Sequence, residues 1–225
     1  MQSLIMQDCL ICRQLSKRLI CTYCQQDLVT LQPPGTDKNL MLLPNVAKGL
    51  AQVEFKTLYA VCDYQWPISK LLTALKFGAK LPNARALAEL FVKHNVNTHF
   101  VLPKAILPIP LHKNRFLWRK YNQSVEICRH ISQLTSVPSL HSALTRKNAT
   151  LAQTKLSAAQ RKVNLRQAFQ ISSSGFSQLA NIDHIALFDD VTTTGATANA
   201  AYRCLKNTFP QLKIDSWSIC VTLVH

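Results

Sequence analysis

The sequence predicts an α/β protein: a central, mostly parallel sheet flanked by helices, with a small metal-binding module in front of it. Three observations carry that expectation. From Leu58 onward short apolar runs alternate with amphipathic helical patterns, and strands joined through helices pair in parallel. The run "HIALFDD" (184–190) leads into a Thr/Gly loop and then a new helical pattern, an order suited to a ligand at a helix N-terminus. The first 24 residues also hold four cysteines in two C-x2-C pairs.

The cysteines come first in the chain. Cys9, Cys12, Cys21 and Cys24 lie in "CLICRQLSKRLICTYC". Each C-x2-C is a tight turn that aims two thiolates at one point, and two such turns supply the tetrahedral sulfur shell that Zn2+ prefers. Disulfides are the rival reading, but no secretion signal accompanies them. A redox CxxC would follow a strand and open a helix. Four protein ligands leave no open position, so this zinc is expected to be structural. About thirty residues cannot build an unaided core, so residues 1–32 read as a zinc-binding module. "LQPPGTDKN" (31–39) has the Pro and Gly of a linker. Residues 33–57 read as a connecting segment and 58–225 as the main domain. Cys62, Cys128, Cys204 and Cys220 stand in apolar surroundings and read as small buried hydrophobes.

The remaining elements follow from periodicity. "PISKLLTALKF" places Ile68, Leu71, Leu72 and Leu75 on one helical face, and "NARALAELFVKH" does so with Leu87, Leu90 and Phe91, capped by Asn83. "KAILPIPL" reads as a short buried strand. "NQSVEICRHISQL" is a helix capped by Asn122, "HIALFDD" the clearest buried strand, and "ATANAAYRCLKNT" the helix after its loop. "DSWSICVTLV" alternates at Trp217, Ile219, Val221 and Leu223, which predicts a half-buried strand near a sheet edge. In such sheets ligands sit beyond the carboxyl ends of the strands.

Composition bounds the function. Hydrophobic residues make up 48% of the 225 and charged residues 16%, which suits a packed core. No eighteen-residue apolar run occurs, so the chain reads as soluble and cytoplasmic with no membrane insertion. Lys and Arg number 26 against 11 Asp and Glu, for a net charge of +15. Between Pro103 and Arg166 twelve basic residues face one acid, Glu126. A block of that kind meets an anion: a phosphorylated small molecule, nucleic acid or a membrane surface.

"IALFDDVTTTGAT" (185–197) is the chemically richest stretch. A buried strand ending in Asp189 and Asp190 enters a helix through Val191, Thr192, Thr193, Thr194, Gly195, Ala196 and Thr197. Amides at a helix entry favour phosphate, with Gly195 allowing close backbone approach and the threonines offering hydroxyls. Carboxylates repel phosphate, so they suit a donor-rich neutral group such as a ribose diol. A local turn cap is the alternative role for Asp190. No G-x4-G-K-[ST] phosphate loop occurs.

This stretch resembles the phosphoribosyl pyrophosphate (PRPP) binding signature of type I phosphoribosyltransferases. "PIPLHKNRFLWRKYNQS" and "TLAQTKLSAAQRKVNLRQAF" are similar to segments of the ComF competence family, which includes GntX-like proteins, as are the four-cysteine module and "LLTALKF". The resemblance implies a Rossmann-like phosphoribosyltransferase fold that binds PRPP with Mg2+, displaces pyrophosphate at the anomeric carbon, and serves DNA uptake or the use of extracellular DNA. Asp189 and Asp190 would then accept from the ribose diol, and residues 193–197 would cradle the 5-phosphate. The pyrophosphate loop falls on residues 108–113, with Pro110, Leu111, His112 and Lys113, and Arg115 as a nearby cation. A closing loop falls on residues 144–156, with Arg146 and Lys147 reaching the phosphates as the catalytic cations. No general base for an acceptor stands out; His112 and His141 are the candidates, although a lone histidine is more often structural or solvated. Lys120 departs from the family, which usually has Gly there.

The cations outnumber what one PRPP needs. Arg115, Trp118, Arg119, Lys120 and Tyr121 interleave charge with aromatic rings, as surfaces for single-stranded nucleic acid do. Two functions are therefore weighed: a phosphoribosyltransferase with an unidentified acceptor, and a non-enzymatic adaptor of the same fold that binds single-stranded DNA or competence-machinery proteins.

Overall fold

The computed structural model describes residues 6–146 and 168–223. The chain opens with an antiparallel hairpin, β1 (Gln7–Asp8) with β2 (Leu15–Ser16), and a short helix α1 (Thr22–Gln26). Ile20 is buried in the main core, and Leu10, Ile11 and Leu19 pack against it. Residues 33–57 are folded as well. Helix α2 (Pro44–Gly49) lies here, and Leu40, Val46, Leu50 and Phe55 are all buried.

Next come β3 (Leu58–Tyr59), β4 (Cys62–Asp63), α3 (Ile68–Gly78), α4 (Pro82–Asn95) and β5 (Ala105–Pro108). They are followed by α5 (Lys113–Arg119), α6 (Gln123–Thr135) and a two-stranded pair, β6 (Leu144–Arg146) with β7 (Phe169–Ile171). Helix α7 (Ser173–Leu179), β8 (His184–Thr192), α8 (Ala196–Thr208) and β9 (Lys213–Val221) complete the order.

The central sheet is parallel. β9 pairs with β3 and β4 on one side and with β8 on the other, and β8 pairs with β5. At the far side of β5, Ile106 N–H donates to the Pro138 carbonyl and Leu140 N–H to the Ile106 carbonyl. Successive strand residues face opposite ways, and both faces are covered. Ile106, Ala186, Phe188, Trp217 and Ile219 join one core with Leu72, Leu75, Leu87, Phe91, Ile127 and Ile131 from α3, α4 and α6. Ala105, Leu107, Ile185, Leu187 and Ile214 join the other, with Val46 of α2 and Leu205 of α8. Burial on both faces is why "IALF" reads as an unbroken apolar run.

Two sequence expectations are corrected. β9 is interior and buried along its length save Lys213, not half-buried at an edge. Its alternating polar residues are buried and bonded. Asp215 binds His184 Nε2 at 2.7 Å and accepts from the Thr57 hydroxyl at 2.6 Å, and the Ser218 hydroxyl donates to the Cys220 carbonyl at 3.0 Å. A satisfied buried polar group looks like a solvated one in a hydropathy pattern. Asn83 is not a cap either. Proline suits the first helical position, so α4 starts at Pro82. Asn83 lies inside the helix, where its amide donates to the Leu71 carbonyl at 2.9 Å. Asn122 does cap α6, accepting from Ser124 N–H at 3.0 Å.

The chain leaves β5 toward Pro138 at one edge, whereas it leaves β8 toward β9 in the opposite direction. The two connections diverge, which makes the region beyond the carboxyl ends of β5 and β8 the topological switch point of the sheet. That is where this architecture places ligands.

Candidate functional site

β8 does not stop before the acids; it continues through them to Thr192. Asp190 is buried and forms an ion pair with Lys76 near the end of α3. Its other oxygen accepts from Gln123 Nε2 at 3.3 Å, and Gln123 in turn accepts from Arg119 at 2.9 Å. Asp189 accepts from the backbone N–H of Asp190 at 2.9 Å and lies 3.5 Å from the Ser124 hydroxyl. Burial, helped by the adjacent Asp190 charge, pushes the Asp189 carboxyl above the ordinary carboxylate range.

Thr193, Thr194 and Gly195 form the turn into α8, whose first residue is Ala196. With Asp189, residues 191–198 line a small concavity there. Gly195 has φ +67°, and a Cβ on it would lie 2.7 Å from Val53 Cγ1 and 3.1 Å from Leu50 Cδ2. The close approach that requires glycine is thus to the segment after α2, and the turn is braced from that side. Asn199 Oδ1 accepts from Glu54 N–H at 2.7 Å, and Arg203 Nε donates to the Glu54 carboxylate at 2.7 Å.

At the end of β5 the backbone passes Pro110 and Leu111 to His112, whose Nδ1 accepts from Asn114 N–H at 3.3 Å and caps α5. Lys113 and Arg115 are exposed on α5. Arg146 closes β6, its guanidinium 5.3 Å from the Phe169 ring centre. Burial lowers its pKa, the Arg115 charge lowers it further, and Asp189 opposes both. Arg115, Arg146 and Asp189 therefore share one electrostatic neighbourhood. Lys147 and residues 150–166 of the family-like run lie outside the described residues.

The basic-aromatic stretch divides. Phe116, Leu117, Trp118 and Lys120 face solvent, with the Trp118 ring tilted against Phe77 at 5.7 Å between centroids. Arg119 and Tyr121 turn inward. The Arg119 guanidinium lies 5.0 Å from the Phe77 ring centre, and the Tyr121 hydroxyl donates to the Leu75 carbonyl. Lys120 ends α5 in the left-handed region at φ 65°, ψ 0°. It keeps the conformation natural to glycine, with a strain of about 1 kcal/mol.

Sequence reasoning missed Lys76, Gln123 and Ser124 as parts of this site. Gln123 and Ser124 could have been found, since they follow the capping Asn122 and open the helix whose first turn meets Asp189 and Asp190. Lys76 carries no local signal, because a lysine late in an amphipathic helix usually interacts with the helix C-terminus.

The N-terminal cysteines converge. The four sulfurs lie within 4.8 Å of one another, and those of Cys12 and Cys21 are 3.8 Å apart. A tetrahedron with 2.3 Å Zn–S bonds has edges of about 3.8 Å, so the cluster fits a zinc ion. Backbone N–H of Cys21 donates to the Cys9 sulfur at 3.3 Å, and that of Cys24 to the Cys21 sulfur at 3.4 Å. Burial would raise the Cys9 thiol, but backbone donors from Cys21, Cys12 and Ile11 outweigh it and bring it down to about 6. Those donors favour the thiolate that a metal needs.

No family model matches the chain. "DNA utilization protein YhgH" of Escherichia coli strain K12 is 33% identical over 174 residues, covering 75% of this chain and 74% of that protein. The chain belongs to the ComF/YhgH family. "Competence protein F" of Haemophilus influenzae is 29% identical over 208 residues, covering 88% of this ComF-family chain and 90% of that one. Among solved structures, adenine phosphoribosyltransferase of Leishmania tarentolae has 14% identity and a TM-score of 0.40, over 72% of this chain and 91% of that one. At that level of likeness the fold rests on the sheet topology described above. Among the described residues, no helix of this ComF-family protein is long and apolar enough to cross a membrane.

Proposed function

We propose that this ComF-family protein binds PRPP with Mg2+ and transfers its phosphoribosyl group to an acceptor, in the service of DNA uptake or utilization. One observation carries the reading: Asp189 and the Thr193–Gly195 turn stand together at the carboxyl end of β8, beside the divergence of β5 and β8. The turn's amides and hydroxyls suit a 5-phosphate, and a carboxylate beyond them suits a ribose hydroxyl. Arg115 and Arg146 supply positive charge for the departing pyrophosphate, the term expected to dominate the rate. Magnesium would travel with the pyrophosphate and neutralise part of its charge. Calorimetry with PRPP and Mg2+ tests this. Wild type is expected to give a binding isotherm, and Asp189→Ala/Asp190→Ala to lose it. Equal heats from both proteins would remove the site assignment.

A second reading has its own observation. Helix α5 buries none of its residues and presents Trp118 and Phe116 beside Lys113 and Arg115. Rings for stacking among cations suit single-stranded DNA. Arg115→Ala/Trp118→Ala is expected to weaken binding of a single-stranded oligonucleotide and to flatten its dependence on salt. An unchanged salt slope would remove α5 from any such surface.

A further inference from the structure

The two acids at the end of β8 are adjacent in sequence and unequal in surroundings. Asp190 is buried, and both of its oxygens are engaged, one by the Lys76 ammonium and one by the Gln123 amide. Arg119 steadies Gln123 from behind. Asp189 is only part-buried; among the described residues it accepts from the Asp190 N–H at 2.9 Å and lies 3.5 Å from the Ser124 hydroxyl, neither of them charged.

This asymmetry decides what each acid can offer. An ammonium is a stronger partner for a buried carboxylate than a sugar hydroxyl. A ligand that drew Asp190 away would leave a buried lysine unpaired, and breaking such pairs is strongly unfavourable. Among the described residues no cation forms an ion pair with Asp189; Lys76 and Arg146 act on it only at longer range. The Lys76–Asp190 pair also joins the last turn of α3 to the end of β8, three residues before Thr193. It fixes the root of the turn that would receive phosphate.

We propose that the acid pair divides its work: Asp189 accepts from the ribose of the ligand, while Asp190 is an anchor on which Lys76 acts as a positioning residue. This rests on the PRPP reading above and narrows it. Both acids match the family signature, but on this geometry only one meets substrate.

A double-mutant cycle read by PRPP/Mg2+ calorimetry and by thermal melting tests the division. Asp189→Asn is expected to weaken PRPP by about 10- to 100-fold, the scale of a lost charged hydrogen bond, without lowering Tm. Asp190→Asn and Lys76→Met should each lower Tm and weaken PRPP by about threefold or less. Lys76→Arg should recover both. The double variant Lys76→Met/Asp190→Asn should bind no worse than the poorer single, because Lys76 acts only through Asp190. The inference is overturned if Asp190→Asn costs as much affinity as Asp189→Asn at unchanged Tm. It is also overturned if the Lys76 and Asp190 losses multiply, since Lys76 would then touch the ligand itself. Failure of wild type to bind PRPP would instead remove the proposed function, and this division with it.

Discussion

Taking the metal from the four-cysteine module is expected to unfold residues 7–26 while the parallel sheet stays protected. The hairpin β1–β2 has two residues per strand and α1 has five, too little structure to persist unaided. Ile20 and Cys9 are its well-buried apolar residues, with Cys21 close behind. The apparent free energy of structural zinc in small modules, about 10–16 kcal/mol, exceeds what so few contacts can replace. Native mass spectrometry should find one zinc per chain, and Cys21→Ser should abolish it. Hydrogen exchange should then rise across residues 7–26 and in the part of α4 that meets them, where Lys93 bonds Gln25 at 2.7 Å. Exchange in β8 and β9 should stay slow. A metal-free protein with the same protection pattern would show that packing alone holds the module.

Gly195→Ala should destabilise the protein by about 2–4 kcal/mol and abolish PRPP binding. About 1 kcal/mol comes from placing a Cβ at φ +67°. The rest, about 1–3 kcal/mol, comes from overpacking. The new carbon would meet Val53 at 2.7 Å, Leu50 at 3.1 Å and Phe55 at 3.3 Å, and Leu50 and Phe55 are buried in a packed core. Gly35→Ala is the control. Gly35 has φ +79° with nothing within 4 Å of its Cβ position, so only the conformational cost of about 1 kcal/mol applies. Urea denaturation of both variants separates the two contributions. Equal losses would mean that the segment after α2 yields freely and does not brace the turn.

What the sequence alone determined is whatever one segment decides by itself. Two C-x2-C turns dictate a four-sulfur cluster whatever follows them. The unbroken run "IALF" dictates a strand covered on both faces, and a Thr/Gly turn after it dictates entry into a helix. Asn122 declares itself as a cap because capping is an interaction of a residue with its own next turn. The family resemblance has the same character, since it rests on contiguous motifs.

The tertiary structure decided everything that depends on a distant partner. β9 reads as an edge strand because its serines and aspartate are polar, and only the approach of His184 and Thr57 to Asp215 reveals them as interior. Gly195 reads as making room for a ligand, whereas the atoms that exclude a Cβ belong to residues 140 or more positions away. Asp189 and Asp190 are the same letter twice. Lys76, over a hundred residues upstream, tells them apart, because a buried charge is defined by the partner that compensates it and not by its neighbours in the chain.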